Sequence, residues 1–234
     1  MDRMICDMPE FVGMTVLDTV GLVIPGVDSQ LQKAMDLPKP YAALGTVGAR
    51  VGAAGQIVAL DEAVKNTNTE VLSIELPRDT KGWGGHGCYL VIGGPDVSDV
   101  RQAVEIVLEQ TTKNAGEVYI NPAGHLEFAY SASAGEALHR FFGIPKGRAF
   151  GFMAGSPAAI GLVMADRTVK SAQVELVQYM TPNKGTSHSN EVIIAFTGDA
   201  SAVKAAVLTA REVGLKMLIA MGGEPDSPSP HLWP

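Results

Sequence analysis

The chain has 234 residues, enough for one ordinary domain or two small ones, and its 46% hydrophobic and 18% charged residues are typical of a folded globular protein. A formal net charge of −7, with no run of Lys and Arg, argues against nucleic acid as a partner. Cys6 and Cys88 form no redox or metal motif, and the N-terminus lacks a signal-peptide pattern. The longest uncharged run, 149–165, contains Ser156-Pro157 and is shorter than a membrane span. We therefore expect a cytoplasmic protein without a membrane segment.

Periodicity predicts the same elements twice along the chain. The first half has a strand-rich lead-in over 11–24, a strand over 43–50, a helix over 53–66, strands over 70–76 and 88–92, and a helix capped by Asp96. The second half has a lead-in over 118–129, a strand over 149–154, a helix over 158–171, strands over 175–180 and 192–196, and a helix over 201–213. This order, β-α-β-β-α after a lead-in, predicts a two-layer α/β fold (α+β, ferredoxin-like). Such a unit leaves a sheet edge and a sheet face uncovered, which favours side-by-side assembly.

An internal repeat explains the duplicated order. Residues 61–77 align without gaps on residues 166–182, and residues 96–104 align on residues 199–207. The loop between these segments is two residues longer in the first copy. The alignment predicts two domains, which we place at 1–113 and 114–225, followed by a tail over 226–234.

The sequence offers little that indicates catalysis. It contains no HExxH, CxxC, GxSxG or phosphate-loop motif. The five histidines are not at metal-ligand spacing, and we interpret them as polar loop or surface residues: His86, His125, His139, His188 and His231. A symmetric assembly could still bring copies of His86 or His188 together. We predict no metal, no cofactor and no enzymatic activity, and we interpret Asp61 as a structural or capping residue because the second half keeps Asp166 but not the neighbouring acid.

Two loops are unusually rich in glycine and polar residues. They are RDTKGWGGHG over 78–87 and NKGTSHSN over 183–190. Loops of this length are often functional, although both could be plain exposed hairpin loops. If copies converged on an axis, the loops would line an opening with hydrogen-bonding groups. The glycines at 45, 48, 52 and 55 lack the spacing of a dinucleotide motif, and we interpret them as turn and packing residues.

Several motifs together resemble a known family. The segments DEAVKNTNTEV, SIELPRDTKGWGGHG and GGPDVSDV, with NPAGHLEF and GTSHSNE in the second half, are similar to the tandem-domain shell proteins of bacterial microcompartments, the PduB/EtuB group. The resemblance runs from about Phe11 to Pro225. It implies two circularly permuted BMC domains per chain, and a homotrimer that forms a pseudo-hexagonal disc and tiles with hexameric shell proteins. Propanediol, ethanol and glycyl-radical compartments use similar proteins, so the compartment type stays open.

The resemblance also implies sites. Lys65, Asn66 and Lys170 match edge residues that contact neighbouring discs. The two polar loops match loops at the axis or at subunit junctions, where relatives have small pores for diols, glycerol or aldehydes. The pore-lining or ligand-binding candidates are Arg78, Asp79, Lys81, Trp83, His86, Lys184, Thr186, Ser187, His188 and Asn190.

Two features depart from the family pattern. Trp83 stands where relatives have a small residue, and only about ten residues precede Phe11, which argues against a cargo-binding extension. The alternatives to a structural shell role are a ligand-gated binding module and an enzyme acting through His86 or His188. Calorimetry with small diols would distinguish the binding module from a purely structural protein, because only the former releases heat on binding. Loss of turnover in variants of His86 or His188 would support an enzyme.

Overall fold

The computed structural model of the chain describes residues 8–78, 85–114 and 116–227. Each half forms a five-stranded antiparallel sheet, with strand orders β1-β2-β3-β5-β4 and β6-β7-β8-β10-β9. The first half comprises β1 (Phe11–Thr15), β2 (Thr19–Pro25), α1 (Ser29–Ala34), β3 (Ala43–Ala49), α2 (Ala54–Asn66), β4 (Glu70–Glu75), β5 (Cys88–Gly94) and α3 (Val97–Asn114). The second comprises β6 (Glu117–Asn121), β7 (Gly124–Ser131), α4 (Glu136–Phe142), β8 (Ala149–Ser156), α5 (Ala158–Ser171), β9 (Val174–Met180), β10 (Val192–Gly198) and α6 (Ala200–Gly222).

The predicted element order is confirmed, with two differences. Helix α6 continues nine residues past 213, because residues such as Leu218 keep the helical spacing and are buried. The short helices α1 and α4 are absent from the predicted elements, because six or seven residues are too few for a clear apolar period. None of the helices within the described ranges has both the length and the apolar character to cross a membrane.

Glycines allow close packing where the sequence predicted it. A Cβ atom on Gly45 would lie 2.7 Å from Val104 of α3, and one on Gly161 would lie 2.6 Å from the carbonyl oxygen of Gly155. Helices α3 and α5 therefore approach their sheets more closely than a larger residue would permit. This confirms the packing interpretation of the glycines at these positions.

The second sheet is buried on both faces. Met153 and Phe196 point toward α5 and α6 and belong to the core of the second half. Phe150 and Phe152, on the opposite face of β8, share a core with Ile57 of α2. Helix α2 thus contributes to a hydrophobic core that is continuous across the two halves, and we call this contact region the domain junction.

The first sheet is covered within the chain on one face. Val104 of α3 packs against that face at Gly21 and Gly45. On the other face Val20 is partly exposed and Tyr89 is 41% exposed. The residues at the equivalent register positions of the second sheet, Glu127 and Ile193, are both buried. Among residues 8–78, 85–114 and 116–227, nothing therefore covers on the first sheet the face that is buried on the second.

Asp61 joins the halves at the end of α2. Its fully buried carboxylate accepts hydrogen bonds from the backbone N–H groups of Gly135, at 2.7 Å, and Leu138, at 3.2 Å, in the first turn of α4. Lys65 Nζ lies 2.9 Å from the same carboxylate. The structural, capping interpretation of Asp61 is confirmed, and the cap reaches across the domain junction.

We expect Asp61→Ala to lower the free energy of unfolding by about 2 kcal/mol, because it removes a helix cap and leaves buried N–H groups without an acceptor. In a chain of this length the midpoint should fall by about 4–8 °C in thermal denaturation at fixed protein concentration. Asp166→Ala is the matched control, since the Asp166 side chain is 54% exposed and should change stability by less than about 0.5 kcal/mol. Equal midpoints for the two variants would contradict the cross-junction cap.

Candidate functional site

The two polar loops meet at the domain junction. The Ser189 hydroxyl donates a hydrogen bond of 3.1 Å to the carbonyl oxygen of Gly85. The backbone of His86 is fixed as well, because its carbonyl accepts a 3.0 Å hydrogen bond from Gly52 N–H. Residues about one hundred positions apart in sequence thus come together at the edge of the shared core.

His86 is buried between two carboxylates of the second half. Its Nδ1 atom lies 2.8 Å from Glu191 Oε1, and its Nε2 atom lies 3.0 Å from Glu127 Oε2. The side chain of His86 is completely buried, and those of both glutamates are nearly so. A histidine from the first domain is therefore held by charges from the second.

Glu127 also links the site to the start of α2. Its Oε1 atom accepts hydrogen bonds of 2.9 Å from both Ala53 N–H and Ala54 N–H, two of the N–H groups that a helix start leaves without partners. Gly52 has a φ of +72°, and a Cβ there would lie 2.9 Å from Glu127 Oε1. Glycine at this position therefore permits both the left-handed turn and the approach of the carboxylate.

His125 completes the cluster from the same strand as Glu127. Its Nε2 atom lies 3.2 Å from Glu191 Oε2, and its ring centroid is 6.5 Å from that of His86. Gly85 lies directly against the ring, since a Cβ there would be 2.3 Å from Cε1 of His125. We call His86, His125, Glu127 and Glu191 the junction cluster.

The electrostatics of the cluster depend on its burial and its mixed charge. Burial by itself disfavours the imidazolium form of His86, but the nearby carboxylates of Glu191 and Glu127 outweigh it and raise the pKa of His86 to about 10. Burial likewise opposes ionisation of Glu191, yet His86 and His125 lower its pKa to about 2. The pKa of Glu127 is lowered despite its burial, through His86 and the two backbone N–H groups.

His86 lies in its polar loop, as predicted, but the interpretation of His86 and His125 as surface residues was wrong. Both are buried, because each is covered by residues from the other half of the chain. One signal was present in the sequence: His125 and Glu127 alternate along a strand and so share the face that packs on α2. Their partners, 41 to 105 residues away, follow no local pattern.

The remaining loop candidates lie in different environments. Thr186 is buried, and its hydroxyl donates hydrogen bonds to the carbonyl oxygens of Thr181 and Ser189 within its own loop. The other described candidates are exposed: Arg78, Lys184, Ser187, His188 and Asn190. Asp79, Lys81 and Trp83 lie outside the described residues.

The repeated lysines differ in their contacts within one chain. Lys65 is 30% exposed and donates to the carbonyl oxygen of Ser133, across the domain junction, at 2.9 Å. Asn66 beside it is exposed and bonds the carbonyl oxygen of Glu62. Lys170 is 68% exposed and pairs with Asp166 on its own helix. The two equivalent lysines are thus held differently by the chain itself.

Comparison with known proteins identifies both halves of the chain. The BMC domain model matches twice, at residues 43–121 and 149–222. The bacterial microcompartment shell protein PduB of Citrobacter freundii is 52% identical over 225 residues, which cover 96% of this chain and 83% of that protein. PduB of Limosilactobacillus reuteri is 48% identical, with 95% and 94% covered.

Solved structures agree over almost the whole length. A trimeric microcompartment shell protein PduB superposes with a TM-score of 0.91 at 46% identity, covering 97% of this chain and all of that one. EtuB from Clostridium kluyveri superposes with a TM-score of 0.89 at 48% identity, covering 98% and 99%. The repeat, the two sheets and the shared core are thus the features of a known architecture, and the chain belongs to the BMC-domain family of bacterial microcompartment shell proteins.

Proposed function

We propose that three copies of this chain form a pseudo-hexagonal disc that tiles the facet of a microcompartment shell. One observation carries the proposal: equivalent apolar residues are buried on α2 and exposed on α5. Ile57 and Val58 are 0% and 6% exposed, whereas Leu162 and Val163, at the matching positions of the repeat, are 54% and 47% exposed. Adjacent exposed apolar side chains on one helix favour contact with a partner.

The partner surface that fits α5 is the uncovered face of the first sheet. In the second sheet the equivalent face is covered by α2 of the same chain. The first sheet of a second copy therefore presents to α5 a face equivalent to the one on which α2 packs. Burial of Leu162 and Val163 there would contribute about 1.5–3 kcal/mol for each side chain.

Such contacts close into a ring. Within each chain, α2 already packs against the second sheet. The chain also carries two unused surfaces, α5 and the uncovered face of the first sheet, so α5 of one copy can pack on the first sheet of the next. Repeated head-to-tail association of this kind continues until the copies form a closed ring. Six domains arranged in this way comprise three chains, in keeping with the relative that is described as trimeric.

The double variant Leu162→Asp/Val163→Asp should abolish the trimer, because it places two carboxylates in the proposed apolar contact. Native mass spectrometry at micromolar protein should show trimer for the natural chain and monomer for this variant. Met221→Asp is the matched control: Met221 is 55% exposed on α6, and its substitution should leave the trimer intact. A natural chain that is monomeric, or a double variant that stays trimeric, would contradict the proposal.

We further propose that Lys65, Asn66 and Lys170 contact neighbouring discs in the facet, where hexameric shell proteins are the expected partners. Lys170 supports this best, because it is largely exposed while its neighbour Val169 is 39% exposed, so an apolar and a charged group lie side by side on α5.

Lys65→Ala/Lys170→Ala should weaken sheet formation but leave the trimer intact, since a lost edge contact acts only between discs. Negative-stain electron microscopy of the concentrated protein measures the sheets, and native mass measures the trimer. Lys216→Ala is the control, because Lys216 forms the same i, i+4 ion pair, with Glu212, at 73% exposure on α6. Sheets of unchanged extent in the double variant would exclude these lysines from the edge.

The meeting of the two loops supports a further part of the proposal, passage or binding of small polar molecules beside the domain junction. The candidates that remain exposed there, such as Lys184 and His188, present charged and hydrogen-bonding groups suited to diols and glycerol. Within one chain His86 is buried, so passage would run along the exposed loop residues rather than past the imidazole.

Isothermal titration of the trimer with millimolar glycerol or 1,2-propanediol should release measurable heat, and Lys184→Ala/His188→Ala should reduce it several-fold. Lys216→Ala should titrate like the natural chain. If no heat is released, the chain does not bind these molecules, and only the structural role is supported. Heat accompanied by a change in trimer mass would instead favour the ligand-gated alternative.

A further inference from the structure

We propose that the junction cluster is a binding site for a divalent transition-metal ion, for which Zn²⁺ is the best match. His86, His125 and Glu191 are the ligands, and Glu127 orients His86. The site depends only on contacts inside one chain, so metal binding can be tested independently of trimer formation and of the passage of small molecules.

The geometry of the three ligands is compact enough for one ion. Each can supply one donor atom such that all three atoms lie within 4.8 Å of one another. His86 Nδ1 and His125 Nε2 both point at the Glu191 carboxylate, at 2.8 Å from Oε1 and 3.2 Å from Oε2. Ligands about 2.0–2.1 Å from a tetrahedral zinc are about 3.3 Å apart, so small side-chain movements would place all three on the ion.

Buried polar atoms of the cluster lack good hydrogen bonds. Four buried atoms have no hydrogen-bond partner of acceptable geometry among the described residues: His86 Nε2, Glu127 Oε2, His125 Nδ1 and Glu191 Oε2. Such groups are rare in folded proteins and are commonly satisfied by an ion or an ordered water. A metal at the common focus of His86, His125 and Glu191 would satisfy the free oxygen of Glu191 directly.

Glu127 is placed as a supporting carboxylate. If His86 binds the metal through Nδ1, its other nitrogen, Nε2, faces Glu127 Oε2 at 3.0 Å. A carboxylate on the second nitrogen of a ligating histidine fixes the tautomer and strengthens the ligand. Glu127 is itself held by the N–H groups of Ala53 and Ala54, so this support is rigid.

Charge balance also favours a divalent ion. Glu127 and Glu191 bring two negative charges to a place from which water is excluded, where unbalanced charge is costly. One divalent cation would balance both of these charges. Two imidazoles with one carboxylate are a donor set that suits zinc and similar metals rather than Mg²⁺ or Ca²⁺.

Within the part of the chain that the structure describes, the site occurs once. At the register positions equivalent to His86 and Glu127 the other half of the repeat has Asn190 and Val20. Neither an amide nor an isopropyl group replaces the ligand and its support. We therefore expect one ion per chain, at the domain junction within the chain only.

The test uses the full-length chain without an affinity tag, stripped with EDTA and then titrated with ZnCl₂ and, in parallel, CoCl₂. Elemental analysis after desalting should give one zinc per chain, and Co²⁺ should give the visible absorption of a four-coordinate ion. A hundredfold excess of free zinc over its Kd should raise the melting temperature by about 5 °C or more.

Variants separate the roles within the cluster. His125→Ala and Glu191→Gln should abolish stoichiometric binding, and Glu127→Gln should weaken it by about 10–100-fold while keeping one ion per chain. His139→Ala is the matched control, because His139 is exposed on α4, outside the junction cluster and the polar loops, and the variant should bind zinc like the natural chain. Circular dichroism of each variant reports whether it is folded.

Two results would overturn the site: a natural chain that retains no stoichiometric zinc and gives no four-coordinate cobalt spectrum, or folded His125→Ala and Glu191→Gln variants that bind as the natural chain does. If the ligand variants do not fold, the cobalt spectrum and zinc stoichiometry of the natural chain decide the question alone.

Discussion

The burial of α2 against the second sheet is the contact on which the rest of the structure depends. Ile57 lies in one core with Phe150 and Phe152, so the halves cannot part without exposing the largest apolar side chains of the molecule. The same contact brings Asp61 to the start of α4 and Glu127 to the start of α2. Helix ends on both sides of the junction are therefore completed by the opposite domain, and neither domain is a finished folding unit without the other.

A buried charged cluster beside this apolar contact adds specificity at some cost in solvation. If the contact were only apolar, α2 and α5 could pack on the same kind of sheet face, since the two helices are repeats of one sequence. Glu127 discriminates between them, because it satisfies the N–H groups of Ala53 and Ala54 only when α2 is in place. Val20, at the equivalent position of the first sheet, offers no such acceptor. Polar groups of this type are well suited to selecting one packing among similar ones.

Much of the fold could be predicted from the sequence, and much of the site could not. The repeat and the strand and helix periods follow from neighbours in sequence, and they gave the order of the main elements in both halves. The capping interpretation of Asp61 came from comparing the copies, which is also local information. His86 and His125 were misinterpreted because burial depends on what covers a residue. Their cover comes from Glu191 and from the opposite domain, at separations where sequence has no period. Helix α4 was largely missed for a related reason, since Asp61 of the other half stabilises its first turn.

The difference between His86 and Asn190 has an evolutionary consequence. In a ring of six identical single-domain subunits, any substitution at a contact appears six times, and a residue that suits one contact is imposed on all. Fusion of two domains into one gene removes this restriction, because the contact inside the chain and the contact between chains are then encoded separately. His86 and Glu127 can therefore stand at the contact inside the chain while the equivalent positions of the repeat hold Asn190 and Val20. Duplication thus gave this shell protein two kinds of boundary that selection could adjust independently.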